Sequence, residues 1–393
     1  MRRIGLSSLS SPRNKAKSAD QRKDLPQTKP GKFQGIQALR FMAAFLVVVT
    51  HSTFYAHERL SSSIPVWQDG VVGVRVFFAI SGFVMVASTA SLAGTPDGWK
   101  YFSMRRVIRI VPMYWIATTI KLFTMLVLPA AVLHSALDPG KVVLSYLFLP
   151  SRNADGAVEP LLGVGWTLVF EMFFYAVFAL ALLVRANVVY LAGGVLILVA
   201  GGSLLRGANW PAWAVYFDPI VLYFLVGMLI AKLTLNPRTR RRWAPAVLAF
   251  LVAGILVMVI HPDIDGSLNN RLFEMLAVSA IVLAVAWLEP VIGRGVPRFV
   301  VYLGAASYSL YLFHPLIAPA VPEVLVRVGI TNGAVSVLLS IAVALVATTL
   351  IYRFVELPVT AWLQPRVPYV NRKPKTAPPV ETAEPLEVSK DRT

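Results

Sequence analysis

The chain has 393 residues, 56% of them hydrophobic and 15% charged, where a soluble domain has about 45–50% and about 25%. With a mean hydropathy of +0.65, this describes a polytopic membrane protein and excludes a soluble enzyme or a disordered scaffold; the absence of cysteine removes disulfides, thiolate nucleophiles and Cys-ligated metals. The net charge of +17 (37 Lys and Arg against 20 Asp and Glu) is first a matter of membrane topology, and nucleic acid is not needed to explain it.

Residues 1–34 are rich in Ser, Lys and Arg. They lack the apolar stretch and small-residue cleavage site of a signal peptide, so a basic, disordered cytosolic tail is expected. Residues 35–365 form the membrane domain. Its apolar runs predict ten spanning helices, at 36–55, 70–90, 106–129, 162–184, 187–205, 214–233, 243–260, 271–288, 299–319 and 333–353. The second carries Arg75, and the third Pro112 and Lys121. Val142 to Leu149 is too short to span and reads as an interfacial or re-entrant piece. Residues 366–393, rich in Pro, Lys and Glu, predict a second disordered tail.

Basic residues collect in alternate connections. Lys100, Arg105, Arg106 and Arg109 lie on one side with the cluster Arg238, Arg240, Arg241 and Arg242, while the other side holds scattered single charges. The positive-inside rule then predicts an all-α bundle of ten spans with both termini in the cytosol. No internal repeat suggests the related halves of many transporters.

Ionisable groups inside spans are functional candidates because burying them in lipid is costly. Arg40 and His51 share the first span. Eleven residues return to within about 20° of the same helix face after a rise of about 16 Å. One face thus holds a guanidinium near the cytosolic side and an imidazole near the outer side. The plainer alternative is an Arg that snorkels and a His in the headgroup region. Arg106 and Arg109 are i, i+3 neighbours. Their forks suit a diphosphate, or they are an ordinary basic flank. Glu171 lies among aromatics about two turns into the fourth span and needs a partner, either an imidazole or hydroxyl, or Arg75 at similar depth. Tyr308, Tyr311 and His314 are spaced by three along the ninth span, as in a catalytic face or an interfacial aromatic belt. With 5 His and no Cys, no metal site is expected.

Together these segments resemble the acyltransferase 3 family of integral membrane acyltransferases. The resemblance rests on Arg40 and His51 with ten residues between them, and on Gly73-Val74-Arg75-Val76-Phe77-Phe78-Ala79-Ile80-Ser81-Gly82-Phe83. Arg106 with Arg109, the Trp166-to-Glu171 segment, and Tyr311 to His314 complete it. Gln37 to Phe41 and Trp166 to Tyr175 look most like the branch that acetylates bacterial exopolysaccharide. The resemblance implies an O-acyltransferase in the bacterial inner membrane. Acetyl-CoA would be the donor, and the acceptor a hydroxyl of an extracytoplasmic polysaccharide or glycolipid such as exopolysaccharide or lipopolysaccharide. His51, Glu171 and His314 would be catalytic, with His51 as general base or transient acyl carrier and Glu171 orienting its imidazole. His314 would bind the acceptor or polarise the thioester. Arg40, Arg106 and Arg109 would hold the donor, and Trp166, Tyr308 and Tyr311 would line the substrate site. Arg75 departs from the family pattern, which has an acid there. Some members carry an extra outer domain after the membrane part; none is expected here. The rival readings are a transporter or flippase for a glycan or lipid precursor, and a non-catalytic subunit of an export complex.

Overall fold

The computed structural model describes residues 33–366, except 91, 93, 130–136, 154–155, 206, 208–209 and 261–267. The two expected tails therefore lie almost wholly outside the described residues. Among those residues the chain is helical, and its extended backbone pairs only in one antiparallel bridge, Arg152 with Val158.

Among the described residues eight helices are long and apolar enough to cross a membrane, and they fall on eight of the ten expected spans. The other two, 214–233 and 243–260, fall on Pro219–Leu235 and Pro237–Gly254, which meet at a bend of 114°. Asn236 and Pro237 sit at that bend, where proline cannot continue the ladder of the preceding helix. The long elements are α1 (Gln34–Arg59), α2 (Val72–Thr89) and α3 (Gly98–Val127). A short helix, α4 (Pro139–Tyr146), occupies the segment read as too short to span. Then come α5 (Trp166–Leu183), α6 (Val188–Gly201), α7 (Leu222–Leu235), α8 (Pro237–Ile260) and α9 (Leu268–Ile292).

Two further expectations change in detail. The third span starts at Gly98 instead of Arg106, so Arg105 joins Arg106 and Arg109 inside α3, more than a turn from its start. The ninth is broken at Ala306 into α10 (Arg298–Ala305) and α11 (Ser307–Ile317), followed by α12 (Ala320–Arg327). The last span, α13 (Gly333–Ile351), runs on through a π turn at Tyr352–Glu356 into α14 (Leu357–Leu363).

α1 is the hub. It packs against α2, α9, α10, α11 and α13, which puts the helix carrying Arg40 and His51 inside the bundle. Its first turn has no acidic residue of its own. Glu289 of α9 supplies the cap, accepting from Gly35 N at 3.0 Å and Ile36 N at 3.2 Å. The tightest crossing is α2 on α7. A Cβ on Gly82 would stand 2.0 Å from the Phe224 carbonyl oxygen, and one on Gly227 would stand 1.8 Å from that of Ala79. Small residues let two backbones touch where lipid supplies no hydrophobic drive. Gly227→Leu should therefore force α2 and α7 apart and lower the unfolding midpoint in detergent by several degrees, whereas Gly194→Ala, with open space at its Cβ, should leave it unchanged.

Arg75 pairs with Glu274 of α9 at 2.9 Å. This corrects the idea that Glu171 neutralises Arg75. Glu274→Gln leaves a guanidinium between two helices without its counter-charge and should cost about 3 kcal/mol, read as a loss of thermal stability. The Arg75→Met, Glu274→Leu double variant should recover most of it.

Candidate active site

Three adjoining spaces lie along α1. At the basic end lies a vestibule of about 430 Å³ lined by Arg40, Arg105, Arg106, Arg109, Tyr352 and Glu356. Arg40, Arg106 and Arg109 also line the next space, a neck of about 90 Å³ walled by Phe77, Phe78, Ser81, Glu171 and Tyr308. Val74 and Tyr311 are shared between the neck and a cleft of about 770 Å³ at the opposite end. That cleft is lined by His51, Tyr55, Trp166 and Tyr311, and by polar side chains of the connections such as Asn153 and Glu159.

The lining of the vestibule is strongly basic. Among the described residues the Arg40 side chain has one hydrogen bond, to Gln37 at 3.4 Å. Arg106 donates to Ser88 at 3.2 Å and lies over the rings of Phe102 and Tyr175, with its Nε buried and unbonded. Among the described residues none of Arg40, Arg106 and Arg109 has a carboxylate within ion-pair distance. A buried guanidinium nitrogen without a partner is costly, and an anionic ligand would supply one.

His51 lines the cleft at the far end from the vestibule. Its Nδ1 is 2.7 Å from Nε2 of His314, and the two rings stack at 4.9 Å. His314 is fully buried, and its Nδ1 is 3.0 Å from the Leu310 carbonyl oxygen. A carbonyl can only accept, so a neutral His314 carries its proton on Nδ1 and accepts at Nε2. His51 must then donate from Nδ1, which leaves the lone pair of its Nε2 free toward the cleft. Pro315 fits this arrangement, because proline lacks the N–H that would engage the Tyr311 carbonyl and so loosens the backbone next to His314.

Glu171 is elsewhere. Its Oε1 accepts from Ser81 at 3.2 Å and from the Tyr175 hydroxyl in a short bond. It faces the neck and does not touch His51; the group that orients His51 is His314. The tyrosine hydroxyls are also engaged. Tyr308 donates to the Ile110 carbonyl at 2.8 Å, and Tyr311 donates to the Val164 carbonyl at 3.2 Å while accepting from Thr167 at 3.1 Å. These bonds tie α11 to its neighbours and leave the two rings, with their hydroxyls engaged, on the wall of the neck. Trp166 presents its ring to the cleft, edge-on to Phe78 and Phe170.

Three contributors escaped the sequence reading. Glu356 accepts from Ser309 at 2.5 Å at the vestibule wall, placed there by the π turn beyond the last expected span. A carboxylate soon after Arg353 at the end of an apolar run was the available signal. Asn153 and Glu159, joined at 3.3 Å, come from a connection whose course no periodicity predicts. Among the described residues no three His, Asp or Glu side chains converge as metal ligands.

This architecture has a counterpart among known sequences. A family model described as an acyltransferase domain, acyltransferase 3, matches residues 33–353. The chain belongs to this family. It is similar to the exopolysaccharide production protein ExoZ of Rhizobium meliloti (strain 1021), with 31% identity over 282 residues, covering 70% of this chain and 84% of that protein. No solved structure matches it. This multi-pass membrane acyltransferase thus sets Arg40, Arg106, Arg109, Glu171 and His51 around three adjoining spaces. Of these the neck is about a fifth the volume of the vestibule.

Proposed function

We propose that this acyltransferase moves an acetyl group from acetyl-CoA to a hydroxyl of an extracytoplasmic polysaccharide, with exopolysaccharide as the acceptor class that its likeness to ExoZ suggests. The observation that carries the reading is the hydrogen-bonded pair of His51 and His314 where a narrow neck from a basic vestibule meets a wide polar cleft.

In this reading the basic end faces the cytosol, as the charge distribution requires. Arg106 and Arg109 take the nucleotide phosphates of the donor by bidentate contacts, with Arg40 further in. The pantetheine arm then passes the neck, the smallest of the three spaces at about 90 Å³. The thioester arrives beside Tyr311 and His51. His51 Nε2 takes the proton of the acceptor hydroxyl as its oxygen bonds to the thioester carbon. The carbon–sulfur bond then breaks, and CoA leaves as a thiolate that is reprotonated. Positive charge on His51 is shared through Nδ1–H with His314. Glu171 fixes Tyr175 against Arg106 and so shapes the neck. Trp166 and the rings of Tyr308 and Tyr311 form the walls past which the acyl group travels.

The test is a comparison by NMR of O-acetyl groups on surface polysaccharides from cells with and without this protein. O-acetyl signals that disappear on deletion and return on complementation support the reading. An unchanged acetylation pattern across all surface glycans would sink it.

A further inference from the structure

A second cavity opens at the same end of the bundle on the opposite side of α2. Phe83 and Ala87 of α2 line it, whereas Val84 and Ser88 line the vestibule, and the two spaces share no residue. It encloses about 930 Å³. Its floor is apolar, from Phe83, Ala87 and Ala286, and its rim is basic, from Arg240, Arg241 and Arg294. Glu289, the acid at this rim, is already spent on the backbone of Gly35 and Ile36. Arg240 donates to the Trp287 carbonyl at 2.7 Å and lies over that indole. Arg241 and Arg294 are exposed, and no ion pair is recorded for either among the described residues.

We propose that this groove holds one anionic phospholipid, its headgroup phosphate between Arg241 and Arg294 and its acyl chain along Phe83, Ala87 and Ala286. Charge complementarity selects the headgroup. The surroundings select a lipid over a soluble anion. The neighbouring helix surfaces expose Leu235, Trp243, Leu288 and Val291, so the groove opens sideways onto a hydrocarbon-facing surface and not into the aqueous path of the donor. Positive-inside orientation accounts for the number of arginines here but not for a cavity with an apolar floor beneath them. The bound lipid lies against the α9 segment that caps α1, and so steadies the helix carrying Arg40 and His51. The lipid site stands without the acetyl-transfer reading, on which only the acetyl-CoA controls rest.

The full-length protein in detergent would be titrated with dioleoylphosphatidylglycerol, dioleoylphosphatidylcholine or glycerol 3-phosphate, and occupancy read by native mass spectrometry. The phosphatidylglycerol adduct should be retained well above the phosphatidylcholine adduct, and glycerol 3-phosphate should give none. Arg241→Gln with Arg294→Gln should weaken phosphatidylglycerol binding roughly 30-fold, at about fivefold per charge, with acetyl-CoA binding unchanged. The paired lysine variant should stay within a few-fold of wild type. Equal retention of the two lipids by wild-type protein overturns the proposal whether or not any variant folds. So does a glutamine variant that holds phosphatidylglycerol as wild type does, glycerol 3-phosphate binding as well as lipid, displacement of the lipid by acetyl-CoA, or a dimer that forms through this face without lipid.

Discussion

His51→Ala protein should insert into the membrane at normal levels, bind acetyl-CoA and leave the acceptor glycan unacetylated. General-base assistance contributes about 10²–10⁴-fold, and turnover should fall by at least that much. The expectation rests on Nε2 of His51, the ring nitrogen of the pair that His314 leaves free toward the cleft. His51→Asn should fail almost as badly, because an amide cannot accept a proton near neutral pH. His314→Ala should be milder. It removes the acceptor that fixes the His51 tautomer, so turnover should drop and its pH dependence should move, while acetyl-CoA affinity holds. Product acetylation in a strain complemented with each variant, normalised to membrane levels of the protein, separates these outcomes. Near-normal acetylation by His51→Ala would remove the proposed centre. Loss of the protein itself would instead make His51 structural.

Replacing Arg106 and Arg109 together by Ala should weaken acetyl-CoA binding by about 100-fold or more, because each charge-assisted contact contributes about 1.5–3 kcal/mol. Calorimetric titration of purified protein is the measurement. Lysine at both positions should restore only part of the affinity, since a point charge lacks the two-toothed fork. Arg106 also packs on Phe102 and Tyr175, so its loss disturbs the neck as well as the charge. Arg109→Ala alone makes no such ring contact and isolates the electrostatic part. Unchanged acetyl-CoA affinity in a folded double-alanine protein would show that the phosphates bind elsewhere.

Much of this molecule was legible without coordinates. Apolar runs of about 20 residues can only be spanning helices in lipid, since every backbone group must be paired within its own segment. The functional candidates stood out for the same reason, because Arg40, His51 and Glu171 are costly where they lie. The 114° bend between the helices at 214–233 and 243–260 was not anticipated, and the ninth span was read as continuous where it breaks at Ala306. Hydropathy reports length and polarity but not the direction a helix takes after a proline or a break.

Pairing was decided by tertiary structure alone. His51 and His314 stand 263 residues apart and meet because α1 and α11 pack together. By depth alone Glu171 was as good a partner for His51 or for Arg75, yet it bonds to Ser81 and Tyr175, while Arg75 finds Glu274. The sequence by itself determined a membrane-embedded, all-α acyltransferase and which rare polar groups lie within its spans. Which of those groups touch, and how the adjoining spaces differ, from 430 to 90 Å³, came from helix packing. A residue's depth follows from local hydropathy, but its neighbours depend on the rotation and crossing of helices, which side-chain fit between distant segments sets.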